Sequence, residues 1–149
     1  MALLGFSLPF LGGCTFAARH VTMTTVHVEV DIYSGRENPG WDLGEAEATD
    51  FLTRLALLSP DIAGLPSVPD GLGYRGLHVV VHSGGSPQRL AIAGGIVIVE
   101  ADIAADRRRL RDPDRTLERW LLGTGKEYLG TDLLHDLLTL CQGNRPATN

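Results

Sequence analysis

Cysteine is scarce in this protein: among 149 residues only Cys14 and Cys141 carry a thiol. A disulfide-dense scaffold and a four-cysteine zinc site are thereby excluded. An excess of positive charge is missing too, because 13 Lys and Arg face 18 Asp and Glu for a net charge of −5. A nucleic-acid binder ordinarily needs a basic face to neutralise phosphates, so no nucleic-acid partner is expected. The one basic cluster, Arg107-Arg108-Arg109 with Arg111, lies among Asp102, Asp106, Asp112 and Asp114, which cancel its field; it reads as a solvated charged face. Nor is there a run of about 20 apolar residues, the length a membrane-spanning helix requires. Repeats and low-complexity segments are absent as well.

What is present is the composition of one ordinary acidic domain, 44% hydrophobic and 21% charged, long enough to bury a single core. We assign that domain to residues 23–149, with residues 1–22 as an N-terminal extension. Within the extension, Ala2 to Gly13 is apolar apart from Ser7, and Leu11-Gly12-Gly13-Cys14 resembles the lipobox of bacterial lipoproteins. On that reading Cys14 is lipidated and anchors the protein to a membrane. No Lys or Arg precedes the apolar run, however, and Met23-Thr24-Thr25-Val26 leads directly into a strand. The competing reading is a start at Met23 and a cytoplasmic protein.

From Val26 the pattern alternates: Val26, Val28, Val30 and Ile32 point one way, His27, Glu29, Asp31 and Tyr33 the other, as in a half-buried strand. A helix follows, capped either by Asp42 with Glu45 or by Gly44 with Glu47, its inner face carrying Ala48, Phe51, Leu52, Leu55 and Leu58 until Ser59-Pro60 ends it. Leu77 to His82 forms a second strand, and the Ile- and Val-rich stretch Arg89 to Ala101 contains Gly94-Gly95, either a hairpin turn or a bulge. Asp112-Pro113 opens another helix with Leu117, Trp120 and Leu121 inside, and a last helix runs from about Thr131 to Cys141. The order β-α-β-β-α-α, with room for a fourth strand, predicts an α+β two-layer domain: a mostly antiparallel sheet of three to four strands with helices packed on one face.

Chemistry is harder to find. His27, Glu29, Asp31, His78 and His82 are metal-ligand types, but alternate strand residues lie about 7 Å apart, so one ion could use few of them, and no metal is assigned. Gly71-Leu72-Gly73-Tyr74-Arg75-Gly76 has the letters of a dinucleotide fingerprint, yet it precedes a strand instead of opening a helix, and no cofactor is assigned. Ser34 lacks the surroundings of a nucleophile elbow. Cys141 reads as a buried thiol, and Glu118 with Arg119 as an exposed ion-pairing face.

The segment whose composition packing alone does not explain is Ser34-Gly35-Arg36-Glu37-Asn38-Pro39-Gly40-Trp41. Glycines, proline and a self-bonding asparagine make a rigid loop, and Arg36 and Trp41 suit planar anions and aromatic contacts. This loop, Gly73-Tyr74-Arg75-Gly76 and Arg115-Thr116-Leu117-Glu118-Arg119-Trp120-Leu121-Leu122 together look like a group of small bacterial proteins sharing a strand followed by S-G-R-x-N-P-x-W. The resemblance spans roughly Val26 to Gly125 and implies neither a catalytic residue nor a cofactor. It departs from the group at Gly44, where Ser or Thr is expected. The contact residues we expect are Arg36, Asn38, Trp41, Tyr74 and Arg75, engaging a partner protein or a small anionic ligand. The alternatives are an enzyme using Arg36 to stabilise an anion, and an acidic immunity-type protein that neutralises a basic partner.

Overall fold

Alternation in the first strand decides how the molecule is layered. In the computed structural model, which describes residues 23–62, 64, 73–100 and 107–143, β1 runs from Thr25 to Asp31 with Val26, Val28 and Val30 fully buried. Burying each such side chain stabilises the fold by about 1.5–3 kcal/mol. Three neighbours extend the same apolar face. β4 (Gly76–His82) contributes Leu77, Val79 and Val81, β5 (Gln88–Ala93) contributes Leu90 and Ile92, and β6 (Ile96–Val99) contributes Val97 and Val99. Helices cover this face. They are α1 (Glu45–Ala56), α2 (Thr116–Thr124), the single turn α3 (Lys126–Leu129) and α4 (Thr131–Gly143), and they send Phe51, Leu117, Leu121 and Leu137 into the same core. The α+β class and the one-sided helical layer agree with the sequence pattern.

The strand count does not. Among the described residues the sheet has seven strands, all antiparallel, where three to four were expected. Two of the missed strands are edge fragments too short to show any periodicity: β2 is Gly40–Asp42 and β3 is Ser59–Pro60. A third, β7 (Arg108–Arg111), comes from the basic cluster. Across the sheet the order is β2-β1-β4-β5-β6-β7-β3. Within β7, Leu110 alone turns into the core, while Arg109 and Arg111 sit opposite Ile98 and Ile96. The cluster is therefore a strand as well as a charged face. The Gly94-Gly95 alternative resolves into a hairpin turn, for both residues have positive φ (58° and 82°), as a two-residue turn between twisted strands requires.

Helix starts also became specific. Gly44, not Asp42, begins α1, its amide donating to Glu47 Oε2 at 3.0 Å. Asp112 caps α2 from further back than a simple N-cap, accepting the amides of Leu117 and Glu118 on its two carboxylate oxygens at 2.9 and 3.0 Å. That reach exists because Asp114 and Arg115 both adopt left-handed backbone angles, folding a tight turn between cap and helix. Burial raises the Asp112 carboxyl above its ordinary pKa, against the pull of those amides.

Among the described residues no helix is long and apolar enough to cross a membrane. Cys14, the extension 1–22 and Gly71-Leu72 of the glycine-rich segment lie outside the described residues. Gly76 does open β4, so that segment leads into a strand.

Candidate functional site

Asn38 organises the loop that follows β1. Its Oδ1 accepts the amides of Ile32 and Tyr33 at 3.1 and 2.9 Å, replacing the ladder bonds the strand has just lost, while Nδ2 reaches Glu29 and Asp31 at 3.2 and 3.4 Å. Pro39 then returns the backbone alongside β1, its carbonyl accepting from the Val30 amide at 2.9 Å. Replacing Asn38 by Ala would leave two amides without acceptors. We expect a loss of about 1–3 kcal/mol, with the Ile32 and Tyr33 amides gaining hydrogen exchange ahead of the rest of β1; unchanged exchange at both amides would refute this role.

The three segments that carry the resemblance interlock around this loop. Arg75 pairs with both carboxylate oxygens of Asp31 and donates to the Tyr33 carbonyl at 3.0 Å. The Arg75 hydrogen bond holds the Asp31 carboxyl below its usual pKa, with His78 3.5 Å away assisting. Gly76, next in sequence, packs where a Cβ would come within 2.5 Å of the Ile92 carbonyl oxygen. Trp41 enters the core at 3% exposure, donates from Nε1 to Thr124 Oγ1 at 2.9 Å and lies against Gly125, where a Cβ would overlap the indole.

Beneath them lies a charged group that the sequence reading misplaced. Glu118 is completely buried, not part of an exposed ion-pairing face. Its two oxygens accept from Arg115 Nη2 and Nε, each at 2.8 Å, and Oε1 also takes the Tyr74 hydroxyl at 2.7 Å. Arg115 Nη1 continues to the Leu140 carbonyl at 3.4 Å, tying α4 to the cluster. Burial first, and the Glu118 carboxylate second, push the Tyr74 phenol far above its ordinary range. The signal was available in the helix register: Glu118 follows Leu117 and stands three residues before Leu121, inside the apolar arc.

The expected contact residues thus separate. Trp41 and Tyr74 belong to the core, Arg75 is exposed and committed to Asp31, and Asn38 shapes the backbone. Arg36 differs from all of these. It is exposed, its guanidinium lies over the Tyr33 ring at 3.4 Å, and among the described residues no carboxylate or carbonyl pairs with it. Beside it runs a groove of about 340 Å³, walled by Tyr33, Arg36, Glu37, Asn38 and Pro39 on one side and by Tyr128, Leu129 and Leu133 on the other. Tyr128, 59% exposed and stacked at 6.2 Å on the buried Trp41, was missed from sequence. The cue for it was an aromatic side chain between two helix-breaking glycines, Gly125 and Gly130, outside either helix's apolar stripe.

No protein-family model, curated protein or solved structure matches this sequence. The site is therefore read from its own geometry. Among the described residues no group of three or more His, Cys, Asp or Glu is placed to hold a metal ion. On the open face of the sheet, His27 bonds Asp42 at 2.8 Å and His78 faces Asp31, pairing the imidazoles with carboxylates separately.

Proposed function

We propose that the protein is an interaction module that presents the Arg36 groove to a partner. A single observation carries this reading: within Ser34 to Trp41, the side chains of Asn38 and Trp41 are consumed by hydrogen bonds and packing, whereas Arg36 stands exposed beside a groove with its donors unused among the described residues. Arg and Tyr are the residue types that anchor interfaces, and both line this groove. Its rigidity is a further support, because a loop fixed by Asn38 and Pro39 loses little entropy on binding. Membership of the motif-sharing group is proposed on the same loop.

An enzymatic reading draws less support. It needs a titratable group held within reach of a substrate beside Arg36, and the carboxylate on that wall, Glu37, is exposed with no hydrogen bond orienting it. Neutralisation of a basic partner rests on net charge alone.

Affinity capture with wild type, Arg36→Ala, Tyr128→Ala and, as a control on the opposite face of the sheet, Arg89→Ala tests the proposal. Arg36→Ala should alter unfolding free energy by no more than about 0.5 kcal/mol, as exposed substitutions do. A partner kept by wild type and Arg89→Ala should be lost by both groove variants. Retention of every partner by both groove variants would sink the reading.

A further inference from the structure

The chemistry of the groove narrows what enters it. The Arg36 guanidinium uses one face on the Tyr33 ring, leaving its edge of N–H donors free, and that edge matches the two oxygens of a carboxylate. Pro39, Leu129, Leu133 and the exposed Tyr128 ring add apolar surface to the lining of the same groove. At about 340 Å³ the space falls at the lower end of the range for ligand pockets, roughly 300–1,000 Å³, which suits one or two side chains better than a nucleotide. Phosphate is disfavoured on charge. A dianion is ordinarily held by several cations, whereas here one Arg stands next to Glu37 in a protein of net charge −5.

We infer that the groove docks a carboxylate-bearing segment of a partner protein, the carboxylate clamped edge-on by Arg36 and an adjoining apolar side chain laid between Tyr128 and Leu133. The inference rests on the interaction-module reading and specifies its ligand. The carboxylate is the partner's carboxyl terminus, because a last residue carries both the two oxygens for the fork and the adjoining apolar side chain for the groove; an Asp or Glu side chain is the alternative that the test separates.

Short peptides distinguish these cases by NMR titration of the intact protein. The probes are N-acetyl-Leu-Phe with a free carboxyl terminus, the same peptide as its terminal amide, N-acetyl-Phe-Asp amide with only a side-chain carboxylate, and inorganic phosphate. The peptide with a free carboxyl terminus should move the Tyr33, Arg36, Tyr128 and Leu133 resonances, with its amide binding tenfold or more weakly and phosphate not at all. Tighter binding of the Phe-Asp amide would overturn the carboxyl terminus in favour of a side-chain carboxylate. Arg36→Gln should weaken the better peptide at least tenfold, and Arg36→Lys should restore only part of that loss because an ammonium lacks the fork. Equal binding of amide and carboxylate at these resonances would overturn the carboxylate while leaving a recognition groove in place. Silence from every probe at millimolar concentration would overturn the carboxylate, and the groove reading would then stand or fall on the capture experiment.

Discussion

Trp41→Ala should lower the unfolding free energy by about 3–5 kcal/mol, the cost of a large aromatic truncation in a packed core. The indole fills a site that nothing nearby can refill. Gly125 is too close to have a side chain, and Thr124 and Tyr128 are already held by their own contacts with the ring. A cavity would therefore persist, and the Thr124 hydroxyl, which also donates to the Leu121 carbonyl at 2.7 Å, would lose its donor. Against a typical total of about 5–15 kcal/mol, that is a large fraction. Trp41→Phe should cost less, retaining most of the ring area without the hydrogen bond. Urea titration measures both, and a loss under about 1 kcal/mol for the alanine variant would mean that the indole is not the plug the geometry describes. Because Tyr128 stacks on Trp41, the groove should also lose its shape in the same variant.

Glu118→Leu should be as damaging, by about 3–5 kcal/mol, for a different reason. Arg115, 5% exposed, would lose the carboxylate that accepts from both its Nε and Nη2, and the Tyr74 hydroxyl, in a residue 1% exposed, would lose its acceptor. Two left-handed residues precede α2, and such angles cost of order 1–3 kcal/mol each, so the turn at Asp114-Arg115 depends on that ion pair and on the Asp112 caps. Replacing the whole cluster, as Tyr74→Phe, Arg115→Met and Glu118→Leu together, should recover much of the loss, since neither member of the buried ion pair is then left without the other. A triple variant no more stable than Glu118→Leu would contradict this account.

The same cluster sets a pH response. Tyr74 has its folded pKa raised above the unfolded value of about 10, so the native state holds the proton more tightly. Its contribution is complete below about pH 10 and declines as pH rises beyond it. Tyr74→Phe should flatten stability measured between pH 9 and 11, roughly the window in which unfolded tyrosine ionises.

Much of the fold was legible because burial imposes a period. Val26, Val28 and Val30 announced both the first strand and its inward face, and Phe51 and Leu137 marked the inner sides of α1 and α4. Where a side chain's partner lies far off in sequence, nothing local reveals it. Glu118 meets Tyr74 44 residues away, and Trp41 meets Thr124 83 residues away. The basic composition of Arg108 to Arg111 concealed a strand because only Leu110 needed to be apolar there. In the loop, Arg36 stands out in the sequence as a planar cation on a rigid support, and its neighbours Asn38 and Trp41 are that support. The opposite wall, around Tyr128, depended on how α3 is placed and had no sequence period to betray it.

The two ends of the sheet carry a consequence for how this protein meets others. Its outermost strands are three and two residues long, and one of them contains Pro60, which has no amide to donate. Neither end offers the continuous row of backbone donors and acceptors on which a foreign strand could grow. Among the described residues, the sheet edges thus give little purchase to a partner that binds by adding a strand, or to a copy of this protein aligned edge to edge. A partner of the kind proposed would have to be met by side chains, on a surface that can change one residue at a time without disturbing the sheet beneath.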